Sequence, residues 1–300
     1  MTDNNDSIAY VRLKRLDLMQ AFTTEPPPLD FVFPAMLTKT VGALVAQGGA
    51  GKSWLALELA IAVAGGPDLL NLGIEATGPV VYLPAEDPEL ALRHRLFAAG
   101  QHFDDVARER LASTLEIVPL MGRPVDLMMP EGAGAVERMA DGKRLVILDT
   151  LRRFHSAEEN SSSEMARLLG IMEDICERTG AAILFLHHTS KGASLNGGGD
   201  AQQASRGSSV LADNVRGGQF NLLGMTEAEA RAHGINASDR RQFVRLTQAK
   251  INFGASILDM WFRRADGGIL LPAEIERMDD GGRQAAKATT KPQRRDRTHG

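Results

Sequence analysis

The sequence predicts an α/β fold in which a mostly parallel sheet, extended at one edge by antiparallel strands, carries helices on both faces. Continuous apolar runs alternate with helical patterns through the first two thirds of the 300 residues, a glycine-rich loop follows the first run, and closely spaced strand patterns fill the last third. Alternating strands and helices are typical of parallel sheets, whereas successive strand patterns are typical of antiparallel ones. Because 43% of the residues are apolar, the chain can bury a substantial core, and we expect one main domain.

Four apolar runs are predicted to be the central strands. They are TVGALVA (40–46), PVVYLPA (79–85), RLVILDT (144–150) and AAILFLH (181–187). Each run is apolar at consecutive positions instead of alternating, which is typical of strands buried on both faces of a parallel sheet. With helical patterns between them, these runs predict βαβ units.

The clearest helix is predicted over residues 163–179. Ser161 and Glu164 have the spacing of a capping box at its start, and Gly180 stands where a glycine commonly ends a helix. Apolar side chains that recur at helical spacing are expected to face the core: Met165, Leu168, Leu169, Met172, Ile175 and Cys176.

Strand patterns of a different kind begin at about residue 217. QFNLL, QFVRLTQAKINF, ILDMWFRR and GGILLP follow each other closely, and we expect antiparallel strands that extend the edge of the sheet. The chain ends differ again, since the N-terminal stretch MTDNNDSIAY is polar and residues 277–300 combine Lys and Arg with almost no apolar content. We therefore expect a flexible N-terminal segment, a domain over residues 21–276 and a disordered basic tail. The prolines of PPPLDFVFP predict extended chain at the start of the domain.

Composition excludes several kinds of protein. The formal net charge of −4 offers no general attraction to nucleic acid or to anionic membranes, so a DNA-binding surface has to be local. A single cysteine, Cys176, excludes an intrachain disulfide framework and a cysteine-based zinc finger. The sequence shows no secretory signal and no apolar run long enough to span a membrane, so we expect a soluble protein of the cytoplasm.

The loop AQGGAGKS, residues 46–53, has the composition of a phosphate-binding loop. Glycines let the backbone turn so that successive N–H groups point at phosphate, while Lys52 reaches the β and γ phosphates and Ser53 binds Mg²⁺. Ala46 stands where the usual pattern has glycine, but it ends the strand and removes no N–H donor, so we expect ATP and Mg²⁺ to bind. A plain glycine-rich turn is the structural alternative. The predicted nucleotide contacts are Gly48, Gly49, Ala50, Gly51, Lys52, Ser53 and Trp54.

Two carboxylates at strand ends are the predicted hydrolytic groups. Asp149 ends LVILD, where it can hold the magnesium shell, although a buried strand can also end in an aspartate that caps a helix. Glu86 follows VVYLPA and is the predicted base or water-positioning residue. The adjacent Asp87 is expected to cap the next helix, with Pro88 at the first helical position.

Paired histidines and a glycine-rich segment follow the last apolar run. His187 and His188 are expected at the edge where open α/β sheets bind ligands, so that one of them senses the γ-phosphate. Capping of the strand is the alternative, while zinc binding lacks partners at ligand spacing. Residues 189–205 contain hardly any large apolar side chains, which predicts a mobile surface loop or, through Lys191, a loop that contacts DNA.

Phosphoryl transfer often uses an additional cation, which the same subunit or its neighbour supplies. Arg206 and Arg216 flank a short predicted helix, and Lys250 lies in a predicted strand. Spacing alone favours none of the three, and each is also compatible with an ordinary surface cation.

With these motifs in this order, the chain resembles the RepA-type hexameric replicative helicases of broad-host-range plasmids, which are RecA-like ATPases. The resemblance covers about residues 18–276 and depends on PPPLDFV, TVGALV, GGAGKS, GGPDLL, YLPAEDP, LDTLRRFH, LHHTSKGA, QQASRGSSVLADNVR and WFRR. A phosphate-binding loop alone is common, whereas PAEDP, LDTLRRFH and QASRGSSVL in succession are specific. Members of this family also carry a small residue other than glycine at the position of Ala46.

The resemblance implies a RecA-like core that forms a ring of six, with ATP at each subunit interface and single-stranded DNA in the central channel. A plasmid replication initiator or primase is an implied partner. The implied roles are phosphate and Mg²⁺ contacts for Lys52 and Ser53, catalytic base for Glu86, second carboxylate for Asp149, γ-phosphate sensor for His188, and a finger into the neighbour's site for Arg216. The chromosomal replicative helicases carry a second arginine where this chain has Asn252, so a nucleotide contact by Lys250 is left open.

The function that we expect is a motor that couples ATP hydrolysis to translocation on single-stranded DNA and to strand separation during plasmid replication. A RecA-like fold serves other roles as well. One alternative is an ATP-switched DNA-binding or regulatory protein that hydrolyses slowly, and another is a recombinase-like protein that forms open filaments.

Overall fold

The computed structural model describes residues 15–188, 214–254 and 259–275. The loop predicted to contact DNA through Lys191, the predicted cation Arg206 and the predicted basic tail lie outside these residues. The chain divides into two units, the first ending at Asp30 and the second beginning at Phe31.

In the described part of the first unit, the chain forms the short helix α1 (Leu18–Thr23). Asp17 caps this helix by accepting a hydrogen bond from a backbone N–H of the first turn at 3.0 Å. Its apolar side chains, among them Met19 and Phe22, are exposed. The helix begins inside the segment expected to be flexible, and the boundary at residue 20 stays a prediction.

The described residues of the second unit form a nine-stranded sheet, preceded by a hairpin of β1 (Phe31–Phe33) and β2 (Met36–Leu37). The strands of the large sheet are β3 (Val41–Ala46), β4 (Val80–Pro84), β5 (Leu115–Ile117), β6 (Leu145–Asp149), β7 (Ala182–His188), β8 (Gln219–Gly224), β9 (Phe243–Lys250), β10 (Met260–Arg264) and β11 (Leu270–Pro272). Their spatial order is β11-β10-β9-β8-β3-β7-β6-β4-β5.

Strand direction divides this sheet into a parallel and an antiparallel part. The strands from β8 through β5 run parallel, and β9, β10 and β11 continue the sheet in antiparallel pairing. The prediction that QFNLL begins the antiparallel set is wrong, because this run is β8 and pairs with β3 in parallel. A strand pattern carries no direction, and the long segment between β7 and β8 allows the crossover that a parallel neighbour requires.

Helices cover both faces of the sheet, as the fold class predicts. They are α2 (Lys52–Val63), α3 (Glu89–Gly100), α4 (Asp105–Thr114), α5 (Pro130–Ala140), α6 (Ser162–Thr179) and α7 (Glu227–Ala232). On one face α2 packs with strand residues such as Leu44 and Leu184, and on the other α5 and α6 pack with residues such as Val45 and Phe185. Because consecutive strand residues point to opposite faces, two cores require strands that are apolar at every position.

The predicted helix over residues 163–179 is α6, and all of its predicted core residues are buried. The side chain of Ser161 accepts a hydrogen bond from the N–H of Glu164 at 3.4 Å. The other hydrogen bond of a capping box would join the Glu164 carboxylate to the backbone N–H of Ser161. Here that carboxylate accepts from the N–H of Glu158 instead. Gly180 ends the helix in the left-handed region, with φ of 80°.

The parallel register brings the ends of four strands to one edge of the sheet. Ala46 at the end of β3 pairs with His188 at the end of β7, and Pro84 of β4 pairs with Asp149 of β6. Open α/β sheets bind ligands beyond the carboxyl ends of their strands. We call this edge the carboxyl edge and the opposite one the amino edge.

A buried carboxyl group joins α2 to the antiparallel end of the sheet. Glu58 is 1% exposed, and its Oε1 accepts a hydrogen bond from the N–H of Leu270 in β11 at 2.8 Å. Burial raises the pKa of Glu58 to about 8, although the hydrogen bond from Leu270 lowers it. Glu58 therefore holds a proton in the folded protein at neutral pH.

Replacement of Glu58 by glutamine should remove a pH dependence of stability. The folded-state pKa of about 8 lies above the ordinary value of 4.5, so the folded state retains a proton that the unfolded state releases. The free energy of unfolding should therefore fall in the wild type as pH rises through this window, by at most about 1.4 kcal/mol per pH unit. Glu58→Gln keeps the acceptor for Leu270 and should show a flatter profile.

Urea denaturation at about pH 5.5 and about pH 8 measures this difference. Glu89→Gln, at an exposed carboxylate of α3, is the control and should keep the wild-type slope. Equal slopes for wild type and Glu58→Gln would contradict the assignment.

Candidate functional site

The predicted phosphate-binding loop joins the end of β3 to the start of α2. Gly49 and Gly51 adopt φ angles of 78° and 98°, a region that favours glycine. A side chain added at Gly48 or Gly49 would meet nothing within 4 Å, so open space lies above the loop. The first turn of α2 contains no acidic residue and receives no side-chain cap. Its N–H groups and the helix dipole are therefore available to an anion such as phosphate.

Lys52 occupies the first position of α2 and is only 5% exposed. Its Nζ lies 3.0 Å from Nδ1 of His188. Burial lowers the pKa of Lys52, and the negative charges of Asp149 and Glu86 oppose this shift. The carboxyl edge thus brings together the predicted phosphate contact, both predicted carboxylates and the predicted sensor histidine.

Asp149 ends β6 and is 3% exposed. The hydroxyl of Tyr82 donates to its Oδ2 at 2.5 Å. Burial raises the pKa of Asp149, while hydrogen bonds from Tyr82 and Ser53 and the charge of Lys52 lower it. Tyr82 was not predicted as a site residue. The sequence did offer a signal, because a tyrosine in an otherwise aliphatic buried strand carries a hydroxyl that needs a polar partner.

The residues predicted to hold Mg²⁺ fit that ion. The Ser53 hydroxyl and the Asp149 carboxylate are hydrogen-bonded to each other, and both are oxygen donors of the kind that Mg²⁺ prefers. Among the described residues, no group of three or more His, Cys, Asp and Glu side chains lies together as a metal cage. Mg²⁺ in nucleotide sites usually takes one or two protein ligands together with water and phosphate oxygens, so a full protein cage is not required.

Glu86 lies just beyond β4 and is held from two sides. Its Oε1 accepts hydrogen bonds from the Thr150 hydroxyl at 3.1 Å and from Nε of Arg153 at 3.3 Å. Its Oε2 lies 3.8 Å from Nε2 of His188. Neither Thr150 nor Arg153 was predicted, because their contact with Glu86 depends on the pairing of β4 with β6.

The two histidines of β7 lie on opposite faces of the sheet. His188 is partly exposed and faces Lys52. His187 is 7% exposed, and burial lowers its pKa. Because strand side chains alternate between faces, His188 alone of this pair contacts the loop lysine.

The expectation that Asp87 caps α3 is wrong. The helix begins at Glu89, its cap position is Pro88, and no side-chain hydrogen bond caps it. Asp87 instead forms a two-pronged ion pair with Arg95 at 2.5 and 3.1 Å. The guanidinium of Arg95 also lies 5.8 Å from the centre of the Trp54 ring.

The side chain of Trp54 is packed against protein. A side chain added at Gly268 would lie 2.6 Å from its Nε1, so the turn before β11 lies directly against the indole. If Trp54 contacts the nucleotide as predicted, the contacting group is therefore its backbone N–H in the first turn of α2, not its indole ring.

Arg264 contacts the phosphate-binding loop and was missed as a site residue. Its Nη2 donates to the carbonyl of Ala50 at 2.5 Å and to that of Gly49 at 3.3 Å. A side chain at Gly51 would lie 2.7 Å from Nη1 of Arg264, which is a second reason for glycine there. Burial lowers the pKa of Arg264. The motif WFRR could have revealed this residue. Adjacent arginines in a strand point to opposite faces of the sheet, so Arg263 and Arg264 have to contact different surroundings.

The structure places Arg216 at the amino edge, beside the start of β3, and Lys250 level with the middle of β3. Arg216 precedes β8, which runs parallel to β3, and Lys250 pairs with Gln219 at the start of β8. A six-residue strand spans about 20 Å, so β3 separates Arg216 from the loop that follows it. Lys250 lies in β9, and β8 stands between that strand and β3. The Asn252 side chain donates to the carbonyl of Arg216 at 3.0 Å. Arg216 is therefore not brought to the phosphate-binding loop of this chain.

Comparison with known proteins supports a nucleotide-binding fold. A family model described as an AAA domain matches residues 10–194. One solved structure, an ATPase domain, has a TM-score of 0.54 and 14% identity, covering 79% of this chain and 86% of that chain. The flagellar accessory protein FlaH from Methanocaldococcus jannaschii has a TM-score of 0.50 and 13% identity, covering 81% and 91%. These two likenesses show a RecA-like ATPase fold.

A third solved structure, the RadB recombinase, has a TM-score of 0.48 and 14% identity, covering 79% of this chain and 90% of that chain. Among the described residues, none of the helices combines the length and apolar character that a membrane span requires.

Replacement of Arg264 by alanine should weaken ATP binding by about fivefold. The variant loses hydrogen bonds to the carbonyls of the phosphate-binding loop that are worth roughly 1 kcal/mol, so the loop is no longer held in the shape that binds phosphate. Titration with a fluorescent ATP analogue measures the affinity. Arg263→Ala is the matched control, since Arg263 is the adjacent residue and its guanidinium pairs with Gln242. Equal affinities of the two variants would show that Arg264 does not organise the loop.

Proposed function

This chain belongs to the AAA domain family, and we propose that it is an ATP-dependent replicative DNA helicase. In this proposal identical subunits, six in number, form a ring that translocates on single-stranded DNA and unwinds duplex during plasmid replication. A replication initiator or primase is the proposed loading partner. The finer assignment rests on the motif resemblance to the RepA-type helicases, since the solved structures at 13–14% identity show only the fold.

The geometry at the carboxyl edge supports ATP hydrolysis. The loop N–H groups and Lys52 would bind the phosphates, and Ser53 and Asp149 would hold Mg²⁺, which neutralises phosphate charge when bound. Glu86 would orient the attacking water and accept its proton. His188, which contacts Lys52 and lies near Glu86, would sense whether the γ-phosphate is present.

The observation that carries the ring proposal is the division of the predicted site between two edges of the sheet. Lys52 and Glu86 lie at the carboxyl edge, whereas Arg216 lies at the amino edge beyond the reach of its own loop. A head-to-tail assembly joins two different surfaces of identical subunits, and in the proposed ring these are the amino edge of one subunit and the carboxyl edge of the next. Such an arrangement would let Arg216 complete the neighbour's site, where a cation of this kind contributes about 10³ to 10⁵ in rate.

The helicase proposal predicts ATP hydrolysis that single-stranded DNA stimulates, together with unwinding of a tailed duplex. Lys52→Ala and Asp149→Ala should each abolish both activities and leave the circular dichroism spectrum unchanged. Phosphate release and a strand-displacement assay measure the two activities. Nucleotide-dependent DNA binding without unwinding would instead identify a switch protein, and open filaments in particle images would identify a recombinase-like assembly.

The ring proposal predicts that inactive subunits complement each other. Arg216→Ala and Glu86→Gln should each bind nucleotide and hydrolyse it poorly, because both groups act at the transition state. When the two variants are mixed and exchange subunits, some sites combine an intact Glu86 with a neighbour's intact Arg216. ATPase activity should therefore exceed the sum of the separate variants.

The matched control is a mixture of Glu86→Gln with Lys52→Ala. Both of these changes lie at the carboxyl edge, so mixing creates no complete site and should restore no activity. If well-mixed Arg216→Ala and Glu86→Gln subunits stay at the sum of their separate activities, Arg216 does not act across the interface.

A further inference from the structure

A cavity lined by arginines has Glu86 in its wall and no residue of the phosphate-binding loop. Its volume is about 490 Å³, and its walls come from the chain after β4, the turn before α5 and the chain after β6. The residues that matter here are Glu86, Arg123, Arg152 and Arg153. Three guanidinium groups and one carboxylate make the cavity a site for an anion.

The ion pairs around this cavity are weak enough to be exchanged. Nε of Arg153 makes a single 3.3 Å contact with Glu86, and the two side chains are 60% and 38% exposed. Arg152 lies 3.6 Å from Glu159 and is 59% exposed. Exposed pairs of this kind contribute little to stability, whereas guanidinium groups bind phosphate through two parallel hydrogen bonds. An incoming phosphate would therefore compete with Glu86 for Arg153.

Glu86 connects the cavity to the nucleotide site through its two oxygens. Oε1 accepts hydrogen bonds from Thr150, which is buried, and from Arg153, which lines the cavity. Oε2 faces His188, which contacts Lys52. Because Thr150 and Arg153 both donate to the same oxygen, the Glu86 carboxylate is restrained from turning toward a water molecule at the γ-phosphate.

We propose that Arg153 is a positioning residue that restrains Glu86, and that a backbone phosphate of single-stranded DNA in the arginine-lined cavity draws Arg153 away and releases Glu86 for hydrolysis. The inference rests on the proposed function, because it takes Glu86 as the base and single-stranded DNA as the ligand. It adds a direct physical link between DNA binding and ATP hydrolysis within one subunit.

The test compares the ATPase rates of wild type, Arg153→Ala and Arg178→Ala with and without a single-stranded oligodeoxythymidylate. Arg153→Ala should hydrolyse ATP about two- to fivefold faster than wild type without DNA, the range that an exposed ion pair can contribute. DNA should then stimulate it correspondingly less. Arg178→Ala is the matched control, since Arg178 is 58% exposed and pairs with Glu137 at 3.0 Å on another surface. It should behave as wild type.

Arg153→Lys distinguishes positioning from a structural role. Lysine keeps the charge beside Glu86 without the planar pair of donors for phosphate, so Arg153→Lys should hydrolyse ATP without DNA more slowly than Arg153→Ala does, while stimulation by DNA is partly lost. A thermal melt of each variant shows whether the fold is intact. If Arg153→Ala is folded and its rate without DNA is unchanged or lower, or if DNA still stimulates it as strongly as wild type, the proposal is wrong.

The ligand is identified by a second set of measurements. Arg123→Ala should raise the oligonucleotide concentration needed for half-maximal stimulation, and its log-log salt slope should fall by about 0.7 for a lost phosphate contact. Inorganic phosphate is the alternative source of the same chemistry. If inorganic phosphate alone stimulates wild type as strongly as the oligonucleotide does, the assignment to DNA is wrong.

Failure of the proposed function is visible separately. A wild type that hydrolyses ATP without unwinding duplex contradicts the helicase assignment, while the comparison with Arg153→Ala still decides the role of Arg153. A wild type that hydrolyses no more ATP than Lys52→Ala overturns both proposals.

Discussion

The parallel register of β3, β7, β6 and β4 is the constraint on which the candidate site depends. Because these strands end at one edge, Lys52, Glu86, Asp149 and His188 become neighbours although they are far apart in the chain. A slip of one residue in β7 would turn His188 to the opposite face and bring His187 toward Lys52, since strand side chains alternate. The two apolar cores oppose such a slip, because the side chains of these strands pack into one core or the other and a slip would exchange their positions.

Burial divides the residues of this edge into a fixed group and an adjustable group. Lys52 and Asp149 are buried, and burial shifts the pKa of each toward its neutral form, so each depends on opposite charges and hydrogen bonds around it. Glu86 and Arg153 are more exposed and make longer contacts, which solvent screens. The buried pair sets where phosphate and Mg²⁺ would lie, whereas the exposed pair can change partners when a ligand arrives.

Local patterns predicted some features well. The apolar runs became β3, β4, β6 and β7, and the residues predicted for the helix at 163–179 are the buried face of α6. The direction of β8 was mistaken because direction depends on a crossover, which a strand pattern does not show. Asp87 was mistaken because its partner Arg95 lies two turns further along α3 and competes with the cap position. Tyr82 and Arg264 were overlooked because their importance comes from contacts with Asp149 and the loop carbonyls.

The sequence by itself determined the α/β class, the position of the glycine-rich loop and the polar residues at the ends of apolar strands. These features are local, because glycine positions, apolar periodicity and strand ends can be recognised within a few neighbouring residues. Only the tertiary structure decided which of these residues meet. Strand order is a non-local property, and it places Arg264 against the phosphate-binding loop while it carries Arg216 to the opposite edge. The same pairing sets Arg153 against Glu86, because β4 and β6 are neighbours in the sheet and not in the chain.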